Sequence, residues 1–229
     1  MNDKDNSSTY DVTYGNIYLA NPSKTGHTFL YWYTDPARPD NSKIGAGSPA
    51  IPAGSTGNIT FYAMWRANTY TVRFHHNYPG QDSGSMPDQT FTWGQEQALR
   101  SNAFQRNGYN FAGWATSASG NKVYNDGQKV KNLTETDGDI VNLYAVWNLI
   151  TYTITYHLNG CNNDHGNPAT YTVLTQGITL KDPTRDGDYV FDGWYDNPNF
   201  SGSKITYIAS GTTGNLNLYA SWKNYGRFN

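Results

Sequence analysis

Leu143-Tyr144-Ala145-Val146-Trp147 recurs in close copy as Phe61-Tyr62-Ala63-Met64-Trp65 and as Leu218-Tyr219-Ala220-Ser221-Trp222. Self-similarity of this kind fixes the architecture before any other signal is weighed, because each copy must be one structural unit. A second marker precedes every copy: Thr28-Phe29-Leu30-Tyr31-Trp32, Asn110-Phe111-Ala112-Gly113-Trp114 and Val190-Phe191-Asp192-Gly193-Trp194. The closing tryptophans stand 82 and then 75 residues apart. The chain therefore divides into units at residues 1–67, 68–149 and 150–223, with a tail at 224–229. Units this small bury a smaller share of their surface than a larger domain does, yet they can fold alone.

Within a unit, 19 tyrosines, 7 tryptophans and 23 glycines across the chain favour strands joined by tight turns. Alternation along the closing strand puts Leu143, Ala145 and Trp147 on one face and Tyr144 and Val146 on the other. Recurrence then marks Trp65, Trp147 and Trp222 as core residues, with Trp32, Trp114 and Trp194 buried against them. Gly26, Gly108 and Gly187 close a turn that asks for positive φ. Gly113 and Gly193 leave room for a backbone or a ring to approach closely, and Tyr31 interrupts that pattern. Residues 95–100, Gln-Glu-Gln-Ala-Leu-Arg, are the best helix candidate, one or two turns dependent on tertiary packing. Lys43, Lys122 and Lys204 hold matching places in the loop that follows.

The first unit is shorter at its start. Its segment 9–15 aligns with the second strands at 90–94 and 171–177, and nothing before Tyr10 matches the first strands at 70–75 and 152–157. It reads as a unit clipped from a longer array, with a sheet edge left unpaired unless residues before Tyr10 or a neighbouring chain fill the place. The joints at 66–69 and 148–151 contain no Gly, Ser or Pro, so successive units are held at a restricted angle rather than loosely tethered. Three units in line predict a semi-rigid rod. The polar opening Met-Asn-Asp-Lys-Asp and residues 223–229 are expected to fray.

Charge excludes some functions. A net charge of −2 gives no basic face for nucleic acid and no attraction to an anionic membrane. No run reaches the length of a transmembrane helix, and the first twenty residues lack a secretion-signal layout. Cys161 is the single cysteine, which excludes an internal disulfide and a Cys-based zinc site. His75 and His76 point to opposite faces of a strand, and His157 aligns with His75, so no metal grip is expected. The Asp-Gly-Asp runs at 137–139 and 186–188 are turn sequences without a complete calcium loop. Glu96 and Glu135 do not recur, and no cofactor motif or catalytic constellation stands out. Among aromatics outside the core, Tyr14, Trp93, Tyr33 and Tyr195 flank turns and are the candidates for stacking on a glycan. Tyr14 and Trp93 align with Gln176, so a shared site would not be intact in the third unit.

Taken in order, the opening Tyr152-Thr153-Ile154-Thr155-Tyr156-His157-Leu158-Asn159-Gly160, the Pro183-Thr184-Arg185 turn, Phe191-Asp192-Gly193-Trp194-Tyr195 and Leu218-Tyr219-Ala220-Ser221-Trp222 resemble the Listeria–Bacteroides repeat, the B repeat of internalin-type surface proteins. Departures fall at Cys161, Phe104 and Tyr31, where Gly, Pro and Gly are usual. The resemblance implies a mainly β or α+β chain of small β-grasp-like modules, each a mixed sheet with a short helix, on a bacterial surface or secreted protein. The function it implies is a non-catalytic, monomeric spacer with weak contacts to a host-surface protein or glycan. The alternative is a carbohydrate-binding module accompanying a secreted enzyme.

Overall fold

The computed structural model describes residues 6–79, 84–161 and 166–226. The first repeat forms a two-stranded antiparallel sheet of β1 (His27–Tyr33) and β2 (Tyr62–Ala67). The second contains β3 (Thr69–His75), β4 (Gln89–Thr92), β5 (Gln97–Ala98), β6 (Tyr109–Ala115), β7 (Lys129–Val130) and β8 (Ile140–Leu149). Its main sheet runs β4-β3-β8-β6, with β3 antiparallel to β4 and parallel to β8. The third contains β9 (Tyr152–His157), β10 (Thr170–Tyr171), β11 (Ile178–Thr179), β12 (Tyr189–Tyr195), β13 (Tyr207–Ile208) and β14 (Leu216–Asn224), in the same order β10-β9-β14-β12. Small clasps β5-β7 and β11-β13 complete the second and third repeats. By compactness the chain divides in two: one unit holds the chain up to Pro79 with Ser85–Ala103 and Gly113–Ala145, the other Phe104–Ala112 and the chain from Val146 on.

The short helix expected at residues 95–100 is absent, and no helix occurs among the described residues. One turn returns little for the entropy of nucleating it, and an amide competes for its backbone. The Gln89 side chain donates to the Ala98 carbonyl (2.9 Å) and accepts from the Arg100 N–H (2.9 Å), holding the segment extended while Leu99 drops into the core. Asn167 clamps both backbone groups of Lys181 in the same way, at 2.8 Å each. Asn6 does so for Ala20, at 3.2 and 2.7 Å. The clamped carbonyl also receives an indole N–H, from Trp194 to Lys181 (3.1 Å) and from Trp32 to Ala20 (3.2 Å).

Two other expectations change. Segment 9–15 is no strand: Asp11 accepts the Thr13 N–H at 2.8 Å and its carbonyl that of Tyr14 at 3.1 Å, which turns the chain. Nor does the tail fray at its start, since Lys223 and Asn224 extend β14 and pair with Val190 and Tyr189. The opening five residues and residues 227–229 lie outside the described residues.

The core follows the recurrent residues with one rearrangement. Trp114 and Trp194 are 0% and 2% exposed, whereas Trp65, Trp147 and Trp222 are half-buried. The two classes do not pack face to face. Phe191 stands between Trp194 and Trp222, at 5.4 and 5.5 Å between ring centres, and Phe29 does the same for Trp32 and Trp65. First-strand aromatics cap the buried indoles, Phe74 on Trp114 at 4.9 Å and Tyr156 on Trp194 at 5.2 Å. At Gly113 (φ +141°) the Tyr124 carbonyl and the Lys122 stem lie where a Cβ would stand. In the first repeat Lys43 instead rests over the Tyr31 ring, 4.4 Å from its centre.

Candidate functional site

For a chain built of repeats, the joints are where sequence becomes mechanical behaviour. At the first joint Asn68 is buried with every polar group used. Its N–H donates to the Gly26 carbonyl (2.9 Å), and its carbonyl accepts from Trp93 (2.8 Å). Its side-chain oxygen accepts from the Thr28 hydroxyl (2.7 Å), and its amide donates to the Glu135 carbonyl (2.7 Å). The Trp93 ring lies on Gly26, where a Cβ would fall 2.1 Å from ring carbon Cδ2. Arg66 reaches Asp137 at 2.6 Å, and the Thr69 N–H donates to the same carboxylate at 2.9 Å, so the guanidinium and then that bond hold Asp137 below the usual carboxylate range.

The second joint repeats the plan with different side chains. Ile150 N–H donates to the Gly108 carbonyl (2.9 Å), and Val173 methyls cover Gly108, where a Cβ would stand 2.1 Å from Cγ1. Trp93 and Val173 each lie two residues beyond a buried aromatic, Phe91 and Tyr171, so Val173 and not Gln176 is the counterpart of Trp93. The sequence marked Gly26 and Gly108 for their positive φ (65° and 75°). It gave no sign that the next repeat seals them, because the sealing residue is not of constant type.

The four candidate stacking aromatics do not meet in one place. Tyr14 is exposed on its turn. Trp93 is spent on Gly26. Tyr33 stacks on the exposed Tyr62 (5.4 Å, 26°), with Tyr31 edge-on at 6.3 Å. Tyr195 is 7% exposed, edge-on to Phe200, and offers no open face. The histidines have structural partners: His75 stacks on Tyr144 (4.7 Å) and meets Asn142 at 2.8 Å, and His157 stacks on Tyr219 (4.1 Å) and meets Asn217 at 3.1 Å.

One charged cluster lies on the outer face of the third repeat. Asp192, the bulged residue between Phe191 and Gly193, accepts from Lys223 at 2.6 Å and Lys204 at 2.9 Å, with its side chain 14% exposed. The two ammonium groups, Lys223 foremost, hold its pKa down to about 2. The Tyr195 hydroxyl also donates to its carboxylate at 3.4 Å, and no group of three or more metal-binding side chains gathers among the described residues.

The Listeria-Bacteroides repeat domain matches residues 2–64, 70–146 and 152–221. A provisionally named membrane protein of Evansella cellulosilytica is 26% identical over 204 residues, covering 88% of this chain and 27% of that protein. A provisionally named Gly-rich membrane protein of the same organism is 25% identical over 205 residues, covering 87% of this chain and 21% of the relative. The chain thus spans about a quarter of the length of these relatives.

Proposed function

The chain belongs to the Listeria-Bacteroides repeat domain family, in three tandem copies, and from that premise we propose that it is a non-catalytic spacer of a bacterial cell-surface or secreted protein. The observation that supports this reading best is Asn68: a buried joint residue with all of its bonds made leaves no slack between the repeats it connects. Repeat arrays in which each unit contacts only its neighbours transmit length rather than build a pocket. The membrane-protein names of the relatives agree with a surface location. Small-angle scattering tests it. Repeats of roughly 78 residues have radii of gyration near 11 to 12 Å, so a row of three reaches about 90 Å, and a maximum dimension near 60 Å would contradict the spacer.

Weak adhesion to a host-surface protein or glycan fits the same reading, with the stacked Tyr33–Tyr62 pair as the aromatic surface on offer. That pair also favours the second reading, a carbohydrate-binding module accompanying a secreted enzyme, because the exposed Tyr62 ring backed by the half-buried Tyr33 suits a sugar face. A glycan array with Tyr33→Ala separates the two. Saturable, Tyr33-dependent binding supports the module, and no binding with an extended particle supports the spacer.

A further inference from the structure

We propose that the third repeat carries a pocket for one sugar ring, the terminal neutral pyranose of a glycan, with Tyr207 as its stacking wall and Asp196 as its hydroxyl acceptor. A cavity of about 380 Å³ lies at the end of the repeat's core, lined by Asp196, Ile205, Tyr207, Thr212, Asn215 and Leu216 among others. Alternation brings Asp196 there. It stands two residues past the buried Trp194, so the core-facing row of β12 ends on a carboxylate instead of an apolar side chain. The second repeat has the same strand order and is built differently at each of these places. Thr116 follows Trp114 at the same spacing. Tyr124 pairs with Trp114 where the smaller Ile205 pairs with Trp194. Lys129, opposite Ala98 as Tyr207 is opposite Thr179, forms an ion pair with Glu96 at 3.8 Å. Gly177 takes the place of Glu96, and the Tyr207 hydroxyl lies where its Cβ would stand. The third repeat thus has less bulk at Ile205 and an aromatic wall in place of an ion pair.

These groups suit a sugar. Tyr207 is 54% exposed although its hydroxyl is held against Gly177, so the ring is fixed at one end and keeps an open face. A pyranose with equatorial hydroxyls is apolar on its faces and polar round its rim, so it stacks on such a ring and leaves its hydroxyls to the side chains beside it. Asp196 accepts one amide bond from Asn197 at 2.8 Å and keeps acceptor positions for hydroxyls. The Asn215 oxygen takes the Thr153 N–H (3.0 Å), which leaves its amide hydrogens as donors. Ile205 and Leu216 meet carbon. Ligand cavities run from roughly 300 to 1,000 Å³, and this one is at the low end, so one ring fits and a longer glycan extends out of it. An acidic sugar is excluded, because no cation lines the cavity to offset its repulsion from Asp196. The pocket lies within one repeat and is compatible with a spacer. It rests on the glycan part of the adhesion reading and is separate from the Tyr33–Tyr62 pair.

The probe is methyl β-D-glucopyranoside, a model of a terminal sugar, added to the whole chain and followed by amide NMR shifts. Saturable shifts are expected at residues 205–209 and 215–217, with a dissociation constant in the millimolar range, and none at residues 31–33. Tyr207→Ala is expected to abolish them. Asp196→Asn is expected to weaken binding about tenfold, the effect of one charged hydrogen bond, and because Asp196 is exposed this variant keeps the fold intact. Ile205→Tyr installs the residue of the second repeat and is expected to abolish binding by filling the cavity. Methyl β-D-glucuronide, the same ring with a carboxylate, is expected not to bind. Absence of saturable shifts at high millimolar glucoside overturns the proposal. So do equal affinity for the glucuronide, undiminished binding by Asp196→Asn, and binding of free glucose without the glycoside, which would make this a free-sugar site. Shifts lost in Tyr33→Ala but kept in Tyr207→Ala overturn this pocket and leave the adhesion reading standing.

Discussion

Trp194 and Trp222 look alike in sequence and differ in what their loss removes. Trp194 is 2% exposed, capped by Tyr156 and bonded to the Lys181 carbonyl, so Trp194→Ala is expected to cost about 3 to 5 kcal/mol in denaturant unfolding. Trp222 is half-buried, and Trp222→Ala should cost clearly less; equal losses would show that the outer tryptophan is as much core as the inner. Asp192 makes a pH prediction. Its folded pKa near 2 lies below the roughly 3.9 of an unfolded aspartate, so its contribution is complete above pH about 4 and is lost as pH falls towards 2. Asp192→Asn should therefore be less stable than the parent at pH 7, with the gap closing between about pH 4 and 2. A gap constant with pH would mean that the two lysines do not act through charge.

Elements were legible where their signal was local. Closing strands could be placed because Tyr-Ala-x-Trp repeats and alternates, and the turn glycines because positive φ has a residue preference. Segment 95–100 reads locally as helix and is extended because what decides it is Gln89, whose amide takes the Ala98 and Arg100 backbone from another strand. Propensity along six residues cannot register a partner on another element. Nor could the three clamps be recognised as one device, since two are Asn and one is Gln. Likewise nothing local linked Trp93 to Val173, though both seal a glycine. Replacing the clamp tests its weight. Asn167→Leu keeps bulk, leaves the Lys181 N–H without its partner and leaves the Lys181 carbonyl with the Trp194 indole alone, an expected loss of about 1 to 3 kcal/mol, localised by faster exchange at Leu180 and Lys181. Unchanged exchange there would mean that the β11-β13 clasp holds the segment unaided.

At the scale of the whole chain, stability in a repeat protein is the sum of what each repeat has and what each joint adds. The first repeat has least, since its sheet is two strands, and a two-stranded sheet is marginal in water without further packing. Its persistence then rests on the joint to the second repeat, where Asn68 makes four hydrogen bonds and Trp93 covers Gly26. Glycine substitutions separate the joint from the backbone. Gly94 has φ +83° with open space where a Cβ would go, so Gly94→Ala carries the conformational cost alone, about 1 to 2 kcal/mol. Gly26→Ala carries that cost and also drives the new methyl into Trp93. It should lower stability further and unfold β1 and β2 ahead of the second and third repeats, giving an early calorimetric transition absent from Gly94→Ala. Asn68→Ala should produce the same early transition by another route, leaving the Glu135 carbonyl and the Thr28 hydroxyl without their partner. If both joint variants instead moved one undivided transition by the same amount as Gly94→Ala, the first repeat would be stable on its own and the joint would set geometry without carrying stability.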